Sequence, residues 1–176
     1  DEPTSWSTPL IVENGGKPQV VVSATNRVRS YDLASGEQIW ECGGMTGNVI
    51  PTPISAFGML YAISGFRGAA LLAIDLSKAK GDITDSSEAI VWKHNKGTPY
   101  VPSAALSGER LYFMSGNNGT ISCFNAKTGK SSFEAQRIEG LLGGVYASPV
   151  AAAGHVFIVG RDGTTVVIKD ADQFEI

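Results

Sequence analysis

Charge is scarce in this sequence. Lysine, arginine, aspartate and glutamate make up 18% of its 176 residues and the formal net charge is -3, so the basic stripe by which a protein grips nucleic acid or an anionic membrane is absent. Histidine occurs twice, at His94 and His155, and neither has a cysteine or a second histidine at metal-ligand spacing. The two cysteines, Cys42 and Cys123, stand far apart, and two buried free thiols are expected rather than a bridge. No apolar run approaches the roughly 18 residues of a membrane-crossing helix, and DEPTSWSTP at the start lacks the basic and apolar regions of a secretory signal. Helical periodicity is weak throughout. Its one candidate, SKAKGDITDSSEA (77–89), is polar with a glycine inside and reads as a surface loop.

What is abundant is hydrophobic residues, 43% of the total, and repetition. WSTPLIV (6–12), IPTPISA (50–56), VPSAALS (101–107) and YASPVAA (146–152) share a small hydroxyl residue, then Pro or Ala, then apolar positions. Taking Pro9, Pro53, Ala104 and Pro149 as equivalent gives steps of 44, 51 and 45 residues, the size of a supersecondary unit. Each copy continues in paired strand-like runs rich in β-branched and aromatic residues, such as RLYFMSG then TISCFNA. Turn residues such as Asn118-Gly119 and Asp162-Gly163 separate the runs. A third turn, at Ser35-Gly36 and Thr128-Gly129, leads into EQIWECG and KSSFEAQ.

Four short antiparallel strands repeating at this interval predict an all-β chain. The architecture is a β-propeller of four-stranded blades, four of them here, over about 5–44, 48–95, 99–138 and 144–176. YDLASGEQIW (31–40) and FNAKTGKSSF (124–133) then write the same turn twice, each ending on an aromatic that plugs the seam between blades. Trp40, Trp92 and Phe133 are the expected wedges. The insertion at 77–89 stretches the interval from Asp75 to Trp92 to 17, against 8 from Asp32 to Trp40.

The pattern Asp-x-x-Ser/Thr-Gly-x-x-x-Trp resembles the tryptophan-docking motif of quinoprotein-like propellers. That superfamily includes the pyrroloquinoline quinone (PQQ) dehydrogenases and the outer-membrane assembly scaffold BamB. Asp32, Ser35, Gly36 and Trp40 match it fully; Asn125, Thr128, Gly129 and Phe133 match with Asn for Asp and Phe for Trp; Asp75 and Trp92 match across the insertion. The fourth copy, VIKDADQFEI, has lost the glycine. The chain is similar over nearly its whole length to bacterial PQQ-binding-like propeller repeat proteins, which implies an extracytoplasmic, periplasmic setting.

Such a motif speaks for fold and not for ligand. The dehydrogenases of the family imply PQQ with Ca2+, about eight blades and often adjacent cysteines; this chain has four copies and no Cys-Cys pair. Asp82, Asp85 and Glu88 cluster, but at three-residue spacing rather than the alternating spacing of a calcium loop. No catalytic residue, metal ligand or cofactor is therefore assigned.

One constellation stands out. Aligned turns between second and third strands place Arg27, Arg67 and Arg161 in copies one, two and four, with Asn117 and Asn118 in copy three. These loops share a face with the connections that carry Asn48, Tyr100 and Tyr146, and together they are expected to ring the channel mouth and offer guanidinium groups to a carboxylate, phosphate or acidic protein segment. The chain is expected to be part of a longer propeller; two copies pairing into an eight-bladed ring is the alternative.

Overall fold

The computed structural model describes residues 3–141 and 143–176; Asp1, Glu2 and Leu142, the last within the EGLLGGVY connection, lie outside the described residues. Four sheets follow one another along the chain. The first comprises β1 (Leu10–Asn14), β2 (Lys17–Ala24), β3 (Arg27–Asp32) and β4 (Gln38–Gly43). The second comprises β5 (Ile54–Ala56), β6 (Met59–Ser64), β7 (Ala70–Asp75) and β9 (Ile90–His94). The third comprises β10 (Ala105–Ser107), β11 (Arg110–Met114), β12 (Thr120–Asn125) and β13 (Ser131–Arg137), and the fourth β14 (Val150–Ala152), β15 (His155–Val159) and β16 (Thr165–Lys169). Within each sheet these neighbours pair antiparallel.

The sheets stack face to face in chain order, as propeller blades do. Because side chains alternate across a strand, Leu60 and Ala62 of β6 face the first sheet with Val21, Val28 and Trp40, while Tyr61 and Ile63 face the third with Leu111, Phe113 and Phe124. On the third sheet Tyr112, Met114 and Cys123 turn to Val156, Ile158 and Ile168 of the fourth. A sheet with neighbours on both faces has no polar side, which is why MLYAIS and ALLAID read as unbroken apolar runs. Fully buried side chains such as Leu60, Ile63 and Leu71 each contribute about 1.5–3 kcal/mol to folding. No apolar cluster among the described residues joins the fourth sheet to the first.

The repeated hydroxyl-Pro/Ala segment lies before the inner strand and links blade to blade. The Thr52 N–H donates to Ser103 Oγ at 2.9 Å, and the Ser103 N–H donates in turn to Ser148 Oγ at 2.9 Å. Between the first two blades the Trp6 N–H reaches the Val49 carbonyl at 2.9 Å, and the Ser7 hydroxyl reaches that of Pro51 at 3.1 Å. A small hydroxyl residue is required because it must accept a backbone hydrogen bond where sheets converge.

Two expectations are corrected. The 77–89 insertion is more than a surface loop: Gly81–Asp82 forms β8, a fifth strand that pairs parallel with β4, Trp40 opposite Gly81 and Glu41 opposite Asp82. Ala79, Ile83 and Ala89 are buried in the core between the first two sheets. The segment is fixed by the Gly43 N–H donating to Thr84 Oγ1 at 2.9 Å and by Asp82 accepting the Thr84 N–H at 2.9 Å. The second correction concerns the fourth copy, whose final segment is not a strand among the described residues.

That segment turns instead towards the third sheet. Asp170 accepts from Ser107 Oγ at 2.5 Å and Tyr112 Oη at 2.7 Å, with Arg110 at 3.4 Å. Phe174 sets its ring edge-on to Phe133 at 5.6 Å. Burial alone would raise the Asp170 carboxyl, but the hydrogen bonds from Ser107 and Tyr112 and the Arg110 charge outweigh it and hold it below the ordinary aspartate value. A carboxylate depressed on folding adds stability above its unfolded pKa, about 4, and loses that contribution as pH falls through the folded value. Wild-type stability is therefore expected to drop more steeply below about pH 4 than that of Asp170→Asn. Urea unfolding of both proteins between pH 2 and 7 checks this; parallel curves would show that the Asp170 contacts add nothing.

Candidate functional site

The motif residues define what is structural. In the first blade Asp32 Oδ1 accepts from the Ala34 N–H at 3.0 Å, the Ser35 N–H at 2.8 Å and the Ser35 hydroxyl at 3.0 Å. In the third, Asn125 Oδ1 does the same with Lys127 N–H, Thr128 N–H and Thr128 Oγ1 at 3.1, 3.0 and 3.1 Å. Asp75 caps its turn through Ser77. The position needs an acceptor and not a charge, which is why Asn replaces Asp. Gly36 and Gly129 both sit at positive φ, 73° and 70°, and each donates its N–H to the carbonyl of the capping residue.

Trp92 of the second blade docks on the third blade's turn. Its Nε1 donates to the Ala126 carbonyl at 2.8 Å, and its indole covers Gly129 so closely that a Cβ there would stand 2.6 Å from Cδ2. Trp40 is wholly buried in the preceding seam, yet its Nε1 has no partner. The carbonyl corresponding to Ala126's is that of Leu76, which accepts from Asn14 Nδ2 at 2.7 Å. Phe133 meets Tyr112 and Phe174.

The loop residues sort differently. Arg67, in the β6–β7 turn at φ +52°, holds its guanidinium 5.1 Å from the centre of the Phe66 ring, and Phe66 packs on Tyr100 at 4.9 Å. Arg161, between β15 and β16, lies 4.5 Å over the ring of Tyr146, which is 48% exposed. Each such stack is worth about 0.5–1 kcal/mol at an exposed site, and it fixes the direction of a side chain that would otherwise wander. Asn117 is engaged in the frame, its side-chain oxygen accepting the Val101 N–H at 3.0 Å. Asn48 accepts from the Thr4 hydroxyl at 3.1 Å.

Arg27 does not join the other two arginines. As the first residue of β3 it follows the pleat outward to Glu41 at 3.3 Å and Asp82 at 3.5 Å. The structure thus brings together Arg67 with Tyr100, through Phe66, and Arg161 with Tyr146. Phe66 was not singled out from the sequence, although its place beside Arg67 in SGFRGAA is the signal that would have found it. Concave surface lies along the insertion at Thr84, Asp85, Trp92 and Lys93, beside Asn125, Ser132 and Asp172, and between the first two blades at Gly43, Gly44, Ala69 and Asn95.

Burial pushes both thiols, Cys42 and Cys123, up to about 11, so neither is a nucleophile at neutral pH. Among the described residues no group of three His, Cys, Asp or Glu side chains is placed to hold a metal ion, and no helix is long and apolar enough to cross a membrane.

The family described as outer membrane protein assembly factor BamB matches residues 79–173, more than half of the chain. The chain belongs to this BamB-like, PQQ-type propeller family. The crystal structure of BamB from Moraxella catarrhalis superposes with a TM-score of 0.71 at 16% identity, over 99% of this chain and 51% of that one. Quinohemoprotein alcohol dehydrogenase from Comamonas testosteroni gives 0.66 at 15% identity, over 99% and 35%. The computationally designed Ika4 protein gives 0.60 at 14%, over 96% and 91%. This BamB-like chain thus spans about half the length of the Moraxella protein, and at these identities the structural likeness is one of fold. Comparison with curated proteins by sequence finds no match.

Proposed function

We propose that this chain is a non-catalytic binding module that works outside the cytoplasm and presents its loop face to an acidic protein segment. The supporting observation is the pair of cation-aromatic stacks, Arg67–Phe66–Tyr100 and Arg161–Tyr146, on the loops of two blades. Arginine and exposed aromatics are the residue types that carry most of the binding energy at protein interfaces, and a guanidinium already held on a ring loses little freedom on meeting a carboxylate. The extracytoplasmic setting rests on the family's description as an outer membrane protein assembly factor.

Titrating a synthetic glutamate-rich peptide against the protein at low salt tests this reading. Arg161→Ala and Arg67→Ala are each expected to weaken the complex about tenfold, close to 1.4 kcal/mol, and raising the salt to about 0.5 M to weaken it further. Wild-type affinity retained in both variants would refute the loop face as the site.

The second reading, part of a PQQ-dependent dehydrogenase, draws on the likeness to the Comamonas enzyme. A calcium-bound quinone bearing carboxylates asks for cations converging on one point with a carboxylate beside them. The side chains here suit it poorly: Arg27 is paired with Glu41 and Asp82, Arg67 and Arg161 lie on the rings of separate loops, and Asp32 and Asp162 cap their own turns. Quinone absorbance retained after gel filtration with PQQ and Ca2+ would favour this reading over the first.

A further inference from the structure

We propose that Asn118 is a site of covalent self-modification, at which the backbone nitrogen of Gly119 attacks the Asn118 side chain and its amide becomes a mixture of aspartate and isoaspartate. In this step the Gly119 N–H gives its proton to water and the nitrogen bonds to Asn118 Cγ. The Cγ–Nδ2 bond then breaks, and ammonia leaves with a proton taken from water. The resulting five-membered imide adds water at either carbonyl. Opening on one side gives aspartate; opening on the other runs the backbone through Cγ as isoaspartate. In sum, an amide and water give a carboxylate and ammonium, with no change of oxidation state.

The reaction asks for a side-chain amide free to turn onto the backbone, a following residue without Cβ, and an N–H not already given to an acceptor. Asn118 is exposed, and no hydrogen bond holds its side chain among the described residues. The Gly119 carbonyl accepts the Ile138 N–H at 2.7 Å, whereas the Gly119 N–H donates to no acceptor among the described residues. The fold also needs this glycine, because a Cβ there would stand 2.7 Å from the Leu141 carbonyl oxygen and 2.9 Å from Leu141 Cβ. Close packing thus keeps a reactive pair in an exposed turn.

The neighbouring candidates lack one condition each. The other Asn-Gly pair, Asn14-Gly15, has its side chain anchored, since Asn14 Nδ2 donates to the Leu76 carbonyl at 2.7 Å. Asn117 is followed by a residue with a Cβ, and its side-chain oxygen accepts the Val101 N–H at 3.0 Å. Asp162, which precedes Gly163, accepts the Thr164 N–H at 3.0 Å; that bond favours the carboxylate, a poor electrophile. Conversion at Asn118 adds a negative charge to the loop face. Its turn is joined to the Arg161 loop through the 144–145 backbone, where the Asn117 carbonyl accepts the Val145 N–H at 2.8 Å and the Gly144 carbonyl accepts the Arg161 N–H at 3.1 Å. The chemistry is the same whatever that face binds.

Peptide mapping of the folded chain during incubation in warm, mildly alkaline buffer tests the assignment. Tandem mass spectrometry locates the amide-to-acid change, and labelling by an isoaspartate methyltransferase identifies the rearranged product. Asn118 is expected to convert about tenfold faster than Asn14, the rate equivalent of one hydrogen bond that must break first. In the urea-unfolded chain that bond is gone, and the two pairs are expected to react at similar rates. Asn118→Gln, whose attack would have to close a larger ring, is expected to remove the isoaspartate label from the folded chain. An Asn118 that stays intact in the folded chain, an Asn14 that converts as fast, or a label that persists in Asn118→Gln would each overturn the proposal.

Discussion

Trp40→Ala is expected to lower the unfolding free energy by about 3–5 kcal/mol, the cost of emptying an aromatic site in a packed core. For a domain of this size that is a fall in midpoint temperature of roughly 10 °C. The indole is fully enclosed among residues of β2, β3, β6 and β7 together with Ala79, Ile83 and Ala89 of the insertion, so little can collapse into the void. The milder change separates packing from hydrogen bonding. Trp40 Nε1 is buried without an acceptor, a condition that itself costs about 1–3 kcal/mol, and Trp40→Phe removes that atom while keeping much of the ring. At Trp92 the same change discards a bond of 2.8 Å to the Ala126 carbonyl. The polar contribution of Trp→Phe is thus favourable at position 40 and unfavourable at position 92. Denaturant unfolding of the three variants checks the pair; a Trp40→Phe protein as weak as Trp40→Ala would refute an orphaned indole donor in an otherwise well-packed seam.

The contrast between the two tryptophans also marks how far the sequence could be followed. Everything confined to a few residues was legible: the capped turns at Asp32 and Asn125, the glycines that close them, the apolar runs of β6 and β7, and the hydroxyl residue before each inner strand. These depend on contacts within one blade or on a rule repeated in each. Pairing between distant segments left no such mark. β8 is two residues long and joins a strand about forty positions away in parallel, which no alternation predicts, and the Asn14 side chain takes the carbonyl of Leu76, 62 positions further along the chain. The candidate site was half legible for a related reason. Arg67 and Arg161 lie in turns, where they reach the aromatic beside them, but Arg27 begins a strand, and there the pleat and not the loop decides where it goes.

Gly129→Ala is expected to cost more than Gly36→Ala, although the two turns have the same backbone, the same cap and nearly the same φ. Each substitution forces a Cβ into the left-handed region, which costs about 1 kcal/mol or somewhat more. At Gly36 that is the whole cost, since the space beyond is empty. At Gly129 the new methyl would stand 2.6 and 2.7 Å from Cδ2 and Cγ of Trp92, so the indole must lift from the turn, loosening its bond to Ala126 and its packing near Tyr61 and Phe124. Overpacking of this kind adds about 1–3 kcal/mol. The difference between the two variants, measured by denaturant unfolding, is the energy of seating a tryptophan on a capped turn. Equal costs in this chain alone would mean that the indole does not press on the third blade's turn.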